Sequence, residues 1–134
     1  MVLRLGACVV RHTSTLQAVV SLSSAEAEFY ALTKGACAAL GAQAYFRDWG
    51  VDVNIELYCD SSSARALAQR RGLGKQRHIC TRFLWLQERL ALKHLSLRAV
   101  RGEENIADIL TKALLATDAR KYTDEAGMID LTPL

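Results

Sequence analysis

Three acids stand where carboxylate chemistry is conceivable. Glu28 lies inside Ala25-Glu26-Ala27-Glu28-Phe29, Asp60 closes the alternating run Val53-Asn54-Ile55-Glu56-Leu57-Tyr58-Cys59, and Asp108 follows Asn105-Ile106-Ala107. Carboxylates gathered at the strand ends of an α/β sheet can hold two Mg²⁺ ions roughly 4 Å apart, one activating a water and the other stabilising the leaving oxygen of a phosphodiester. Magnesium prefers oxygen ligands in octahedral geometry, so carboxylates, waters and substrate phosphate suffice and no histidine or thiol is required. Structural roles compete at each position. An acid in the first turn of a helix is favoured by the macrodipole, which would account for Asp108. Asp60, before Ser61-Ser62-Ser63, could be a helix N-cap. Glu26 has the capping-box spacing from Ser23 and Glu28 does not. Two residues along a helix project about 200° apart, so only one of the two can face a given site.

The elements that must carry these acids follow from hydrophobic spacing. Residues 3 to 11 and 16 to 22 are rich in Val and Leu around His12-Thr13-Ser14-Thr15, which predicts a hairpin. Apolar residues at Ala25, Phe29, Leu32, Ala36 and Ala39-Leu40 recur in helical period, giving a long helix from about Ser24 to Trp49 with Gly50 as its stop. Val53 to Asp60 alternates as a strand, Ala64 to Gln69 makes a short helix, and Arg70 to His78 is a basic loop broken by glycines. Helical spacing returns from Ile79 to Lys93 through Phe83, Leu86 and Leu90. His94 to Val100 reads as a strand, and Asn105 caps a last helix through Leu115. Residues 116 to 134 have weaker periodicity and read as a C-terminal tail. Strands and helices alternating after a hairpin predict a mixed β-sheet flanked by helices. Trp49 and Trp85 fall at or within helical patterns and are expected to anchor the core.

Composition bounds the rest. A chain of 134 residues has room for one core. No apolar run approaches the roughly 20 residues needed to span a bilayer, so no membrane partner is expected. Cys8, Cys37, Cys59 and Cys80 lack the close pairing of zinc or redox motifs, which points to buried free thiols in a reducing cytoplasm or nucleus. The net charge of +3 is unevenly spread: residues 65 to 101 hold ten Lys/Arg against Glu88 alone, giving +9 there and leaving −6 elsewhere. Such asymmetry suits a polyanion-binding surface beside a carboxylate cluster. Arg70, Arg71, Lys75, Arg77 and Arg82, with His78 in the same loop, are the candidate nucleic-acid contacts, of the backbone-directed kind that weakens steeply with salt.

The runs Ser21-Leu22-Ser23-Ser24-Ala25-Glu26-Ala27-Glu28-Phe29-Tyr30-Ala31, Tyr58-Cys59-Asp60-Ser61-Ser62-Ser63-Ala64, Lys75-Gln76-Arg77-His78-Ile79 and Asn105-Ile106-Ala107-Asp108-Ile109-Leu110-Thr111-Lys112 resemble, in order and spacing, the ribonuclease H domain of copia-type retrotransposon Pol polyproteins. Each motif is weak alone, and four in series are specific. The resemblance covers roughly residues 3 to 115. It implies a three-layer ribonuclease H-like fold over residues 1 to 115 and an endonuclease, dependent on Mg²⁺ or on Mn²⁺ in its place, that cuts the RNA strand of RNA–DNA hybrids during reverse transcription. It further implies Glu28, Asp60 and Asp108 as catalytic and metal-binding carboxylates, and the reverse transcriptase domain of the same polyprotein as a partner. Relatives carry another metal-binding Asp on a strand before the hairpin, and residues 1 to 25 contain no acid. The expectation is therefore an N-terminally truncated domain with impaired cleavage. The alternatives are a non-catalytic nucleic-acid-binding remnant and a protein-interaction module built on the same fold.

Overall fold

The computed structural model describes residues 1–72, 74, 79 and 81–127, without the side chains of Thr81 and Arg82. The chain divides into two compact units, Leu16–Arg101 and Met1–Thr15 with Gly102–Leu134.

The larger unit is built on helix α1, Ser24–Asp48. Ser23 starts it, its Oγ accepting the Glu26 N–H at 3.2 Å, while Glu26 Oε2 accepts the Leu22 N–H at 2.9 Å. These contacts satisfy donors that a helix start leaves without intrahelical partners. Phe29, Leu32, Ala36 and Ala39 are buried, so the apolar stripe read from spacing is the face that packs inward. The helix ends in a Schellman closure, with the Gly50 N–H on Arg47 O and the Val51 N–H on Phe46 O, both at 2.9 Å. Gly50 supplies the left-handed residue that this closure needs, at φ +76°.

Strand β3, Glu56–Cys59, pairs in parallel with β4, Ser96–Ala99, in the register Glu56 with Ser96 through Cys59 with Ala99. Leu57 and Cys59 are buried while Glu56 and Tyr58 face outward, the alternation expected of a half-covered strand. Helix α2, Ser62–Gln69, and helix α3, Trp85–Ala91, lie between the two strands in sequence, α3 being preceded by a 3₁₀ turn at Thr81–Leu84. Parallel neighbours require such a crossover. Ala64, Leu67, Ala68, Leu86 and Leu95 join the α1 stripe in one core. Full burial of side chains the size of Phe29 and Leu86 is worth about 1.5–3 kcal/mol each.

In the smaller unit β1, Val2–Leu5, and β2, Cys8–His12, form an antiparallel hairpin that pairs Leu5 with Cys8 and shifts register between Leu3 and Arg4. A 3₁₀ helix, Ile106–Leu110, and helix α4, Ala116–Glu125, follow. The Tyr122 hydroxyl donates to Glu103 O at 3.1 Å, and Lys121 Nζ donates to the same carbonyl at 3.0 Å.

Several expectations are corrected. The described residues form two separate two-stranded sheets, not one mixed sheet. The hairpin turns at Gly6-Ala7, with Gly6 at φ +59°, so both strands fit within residues 2 to 12 and residues 16 to 22 have no ladder partner. In that segment Val19 packs on the core, whereas Leu16, Val20 and Leu22 are 97%, 87% and 74% exposed. The helix expected from Asn105 to Leu115 stops at Leu110. The Asp108 and Thr111 N–H groups close i→i−3 turns on Asn105 O and Asp108 O, and Leu115 is extended. The tail carries α4. Trp49 is 76% exposed because it caps α1 beyond the core face, edge-on to Phe46 at 6.1 Å. Trp85 packs against the core partly buried. Cys59 is buried, but Cys8 and Cys37 are exposed free thiols, and Cys80 lies outside the described residues.

Candidate functional site

The carboxyl end of β3 is organised by its neighbours' capping chemistry. Ser61, not Asp60, is the N-cap of α2, its Oγ accepting the Ala64 N–H at 3.2 Å. One turn along, Arg65 reaches back so that its Nη1 donates to Cys59 O at 2.6 Å and to Asp60 O at 3.0 Å. The main chain of the strand-to-helix turn is thereby held. The half-buried Asp60 carboxylate receives no hydrogen bond or ion pair among the described residues. Its competing role as a cap is filled by a neighbour.

Glu26 and Glu28 separate on α1. Glu26 is 1% exposed, its two oxygens taken by the Leu22 N–H and the Tyr30 hydroxyl. Glu28 is exposed. The Cys59 thiol links Glu28 to Asp60: burial pushes its pKa up, and the negative charges of Asp60 and Glu28 push it the same way.

Asp108 belongs to the smaller unit. Asn105 caps its 3₁₀ helix through the Ala107 N–H at 3.3 Å, and Lys112 Nζ stands 2.6 Å from Asp108 Oδ2. Asp108 is buried and its negative charge already has a cation. Among the described residues no group of three or more His, Cys, Asp or Glu side chains is placed to hold a metal ion. Carboxylate oxygens are the donors Mg²⁺ prefers, so Glu28, Asp60 and Asp108 suit it in kind.

Of the expected nucleic-acid contacts, Arg70 and Arg71 line a cleft of about 620 Å³ at the amino ends of β3 and β4, bordered also by Asn54, Glu56, Lys93 and Leu97. This is the opposite end of β3 from Asp60. Lys75, Arg77 and His78 lie outside the described residues, as does the side chain of Arg82. Gln87 sets the Arg70–Arg71–Gly72 turn. Its Nε2 donates to Leu67 O at 2.8 Å and Gly72 O at 3.2 Å, and its Oε1 accepts the Gly72 N–H at 2.8 Å. Sequence reasoning missed this residue, although a glutamine inside the apolar stripe of Phe83, Leu86 and Leu90 was its signal. Across the exposed face, Glu56 is shared by the Tyr58 hydroxyl at 2.7 Å and by Arg98, whose Nη2 is also 2.7 Å away.

The chain is similar to the Retrovirus-related Pol polyprotein from transposon TNT 1-94 of Nicotiana tabacum, at 31% identity over 103 residues. That match takes in 75% of this chain and 8% of the polyprotein, so the chain spans a small part of its relative. The likeness supports a retrotransposon Pol origin. No protein-family model and no solved structure gives a significant match. Among the described residues no helix is long and apolar enough to cross a membrane.

Proposed function

We propose that this chain is a ribonuclease H-like domain of a retroelement Pol polyprotein that binds RNA–DNA hybrids and cleaves their RNA strand only weakly by itself. The observation that carries this reading is the Asp60 carboxylate. It sits at the carboxyl end of a parallel strand, its capping role taken by Ser61. Ligand sites of open α/β sheets lie at such strand ends. The Pol likeness and the +9 charge of residues 65 to 101 supply the nucleic-acid context. Glu28, Asp60 and Asp108 are the proposed carboxylates for Mg²⁺, and weak cleavage follows from the Asp108 carboxylate being already paired with Lys112.

A second reading, a non-catalytic nucleic-acid-binding remnant, is favoured by the Lys112 ammonium already paired with Asp108. A labelled RNA–DNA hybrid separates the two. In EDTA the full chain is expected to bind it with an affinity that falls steeply with salt. With millimolar Mg²⁺, slow RNA cleavage that Asp60→Asn abolishes is the expected result. Binding without cleavage, in Mg²⁺ or Mn²⁺, selects the remnant. A chain that does not bind the hybrid at all sinks both.

A further inference from the structure

The turn between α3 and β4 places a lysine where the fold elsewhere uses glycine. After α3 the Lys93 N–H bonds Leu90 O and the His94 N–H bonds Arg89 O, each at 3.1 Å, which together make a Schellman closure. Its left-handed position is held by Lys93 at φ +59°, the one non-glycine residue with positive φ among those described. The same position after α1 and after α4 is held by Gly50 and Gly127. A long side chain in this conformation is unfavourable relative to glycine, and such outliers persist where the side chain is used.

Lys93 borders the cleft at the amino ends of β3 and β4, as do Arg70 and Arg71 from the end of α2. Among the described residues Glu56 is the one acid on that lining, and Tyr58 and Arg98 already occupy its carboxylate. His94 lies on the same lining, its Nδ1 3.1 Å from Arg89 Nη1. Lys93 from the end of α3 and Arg71 from beyond the end of α2 thus line one cleft whose described acid is already paired.

We propose that this cleft is a phosphate-backbone site for a nucleic-acid strand, with Lys93 and Arg71 as its principal contacts, separate from Glu28, Asp60 and Asp108. The identity of the ligand rests on the nucleic-acid reading above; the site does not depend on metal or cleavage.

The test is fluorescence anisotropy of the full chain with a labelled RNA–DNA hybrid in EDTA, across a salt series. Lys93→Gly and Arg71→Ala are each expected to weaken binding about three- to tenfold and to reduce the salt slope by about one, the signature of a lost phosphate contact. Lys93→Gly is expected to melt at or above the parent temperature, so its loss cannot be assigned to unfolding. Lys93→Arg should retain binding, and Arg120→Ala, an exposed cation in the other unit, should leave it unchanged. Binding is read without metal, so a failed cleavage assay leaves this result standing. The proposal is overturned if Lys93→Gly binds with parental affinity and salt slope, or if Arg120→Ala loses as much.

Discussion

Glu26 and Glu28 stand two residues apart and meet opposite environments, one sealed beneath the helix start and one in solvent. The spacing of Ser23 and Glu26 made the capping role of Glu26 legible, while its burial was not. The spacing alone left Asp60 open between cap and ligand, because four successive residues, Asp60 to Ser63, all have side chains that can cap. Only the seating of Ser61 on the Ala64 N–H decides between them. Lys93 gave no signal at all, since nothing in Leu92-Lys93-His94 announces a left-handed residue. For Glu26, truncation leaves the Leu22 N–H and the Tyr30 hydroxyl without their acceptor in a buried place. Glu26→Ala is therefore expected to cost about 1–3 kcal/mol in chemical denaturation, while Glu28→Gln changes stability by less than about 0.5 kcal/mol. Equal losses from the two would refute the division of roles.

At the scale of elements, periodicity located α1, α2, α3, β3 and β4 because each has a clear apolar face. It misplaced the hairpin and overextended the last helix. A Val- and Leu-rich stretch reports that a strand is acceptable there, whereas pairing depends on where the chain can turn, and Gly6 turns it early. The parallel pair itself offers a measurable check. The Glu56 carboxyl is held below its ordinary value, first by the hydrogen bond from Tyr58 and then by that from Arg98 on the adjacent strand, two residues past its partner Ser96. A depressed folded-state value means that this group contributes stability above the ordinary carboxyl range, lost as pH falls through the folded value. Tyr58→Phe removes the larger cause. Carbon-detected NMR titration of the Glu56 carboxyl should then move its midpoint upward, and an unmoved midpoint would show that Tyr58 does not set it.

For the molecule as a whole, charge asymmetry was the most legible feature, and it divides by residue range: the +9 segment lies wholly within the larger unit, Leu16–Arg101. Asp108 falls in a different unit from Glu28 and Asp60, and sequence order says nothing of how separate units meet. One further property follows from the ladderless segment before α1. Residues 15 to 25 contain no charge, no glycine and no proline, and Leu16, Val20 and Leu22 lie in water. Short uncharged stretches of strand-forming residues are templates for intermolecular stacking when nothing guards them. Concentrating the chain should accordingly bring slow turbidity, growing faster as salt screens the net charge. A single gatekeeper substitution, Val20→Lys, is expected to delay that onset in light scattering without lowering the melting temperature. If the delay does not occur, the colloidal weak point lies elsewhere on the chain.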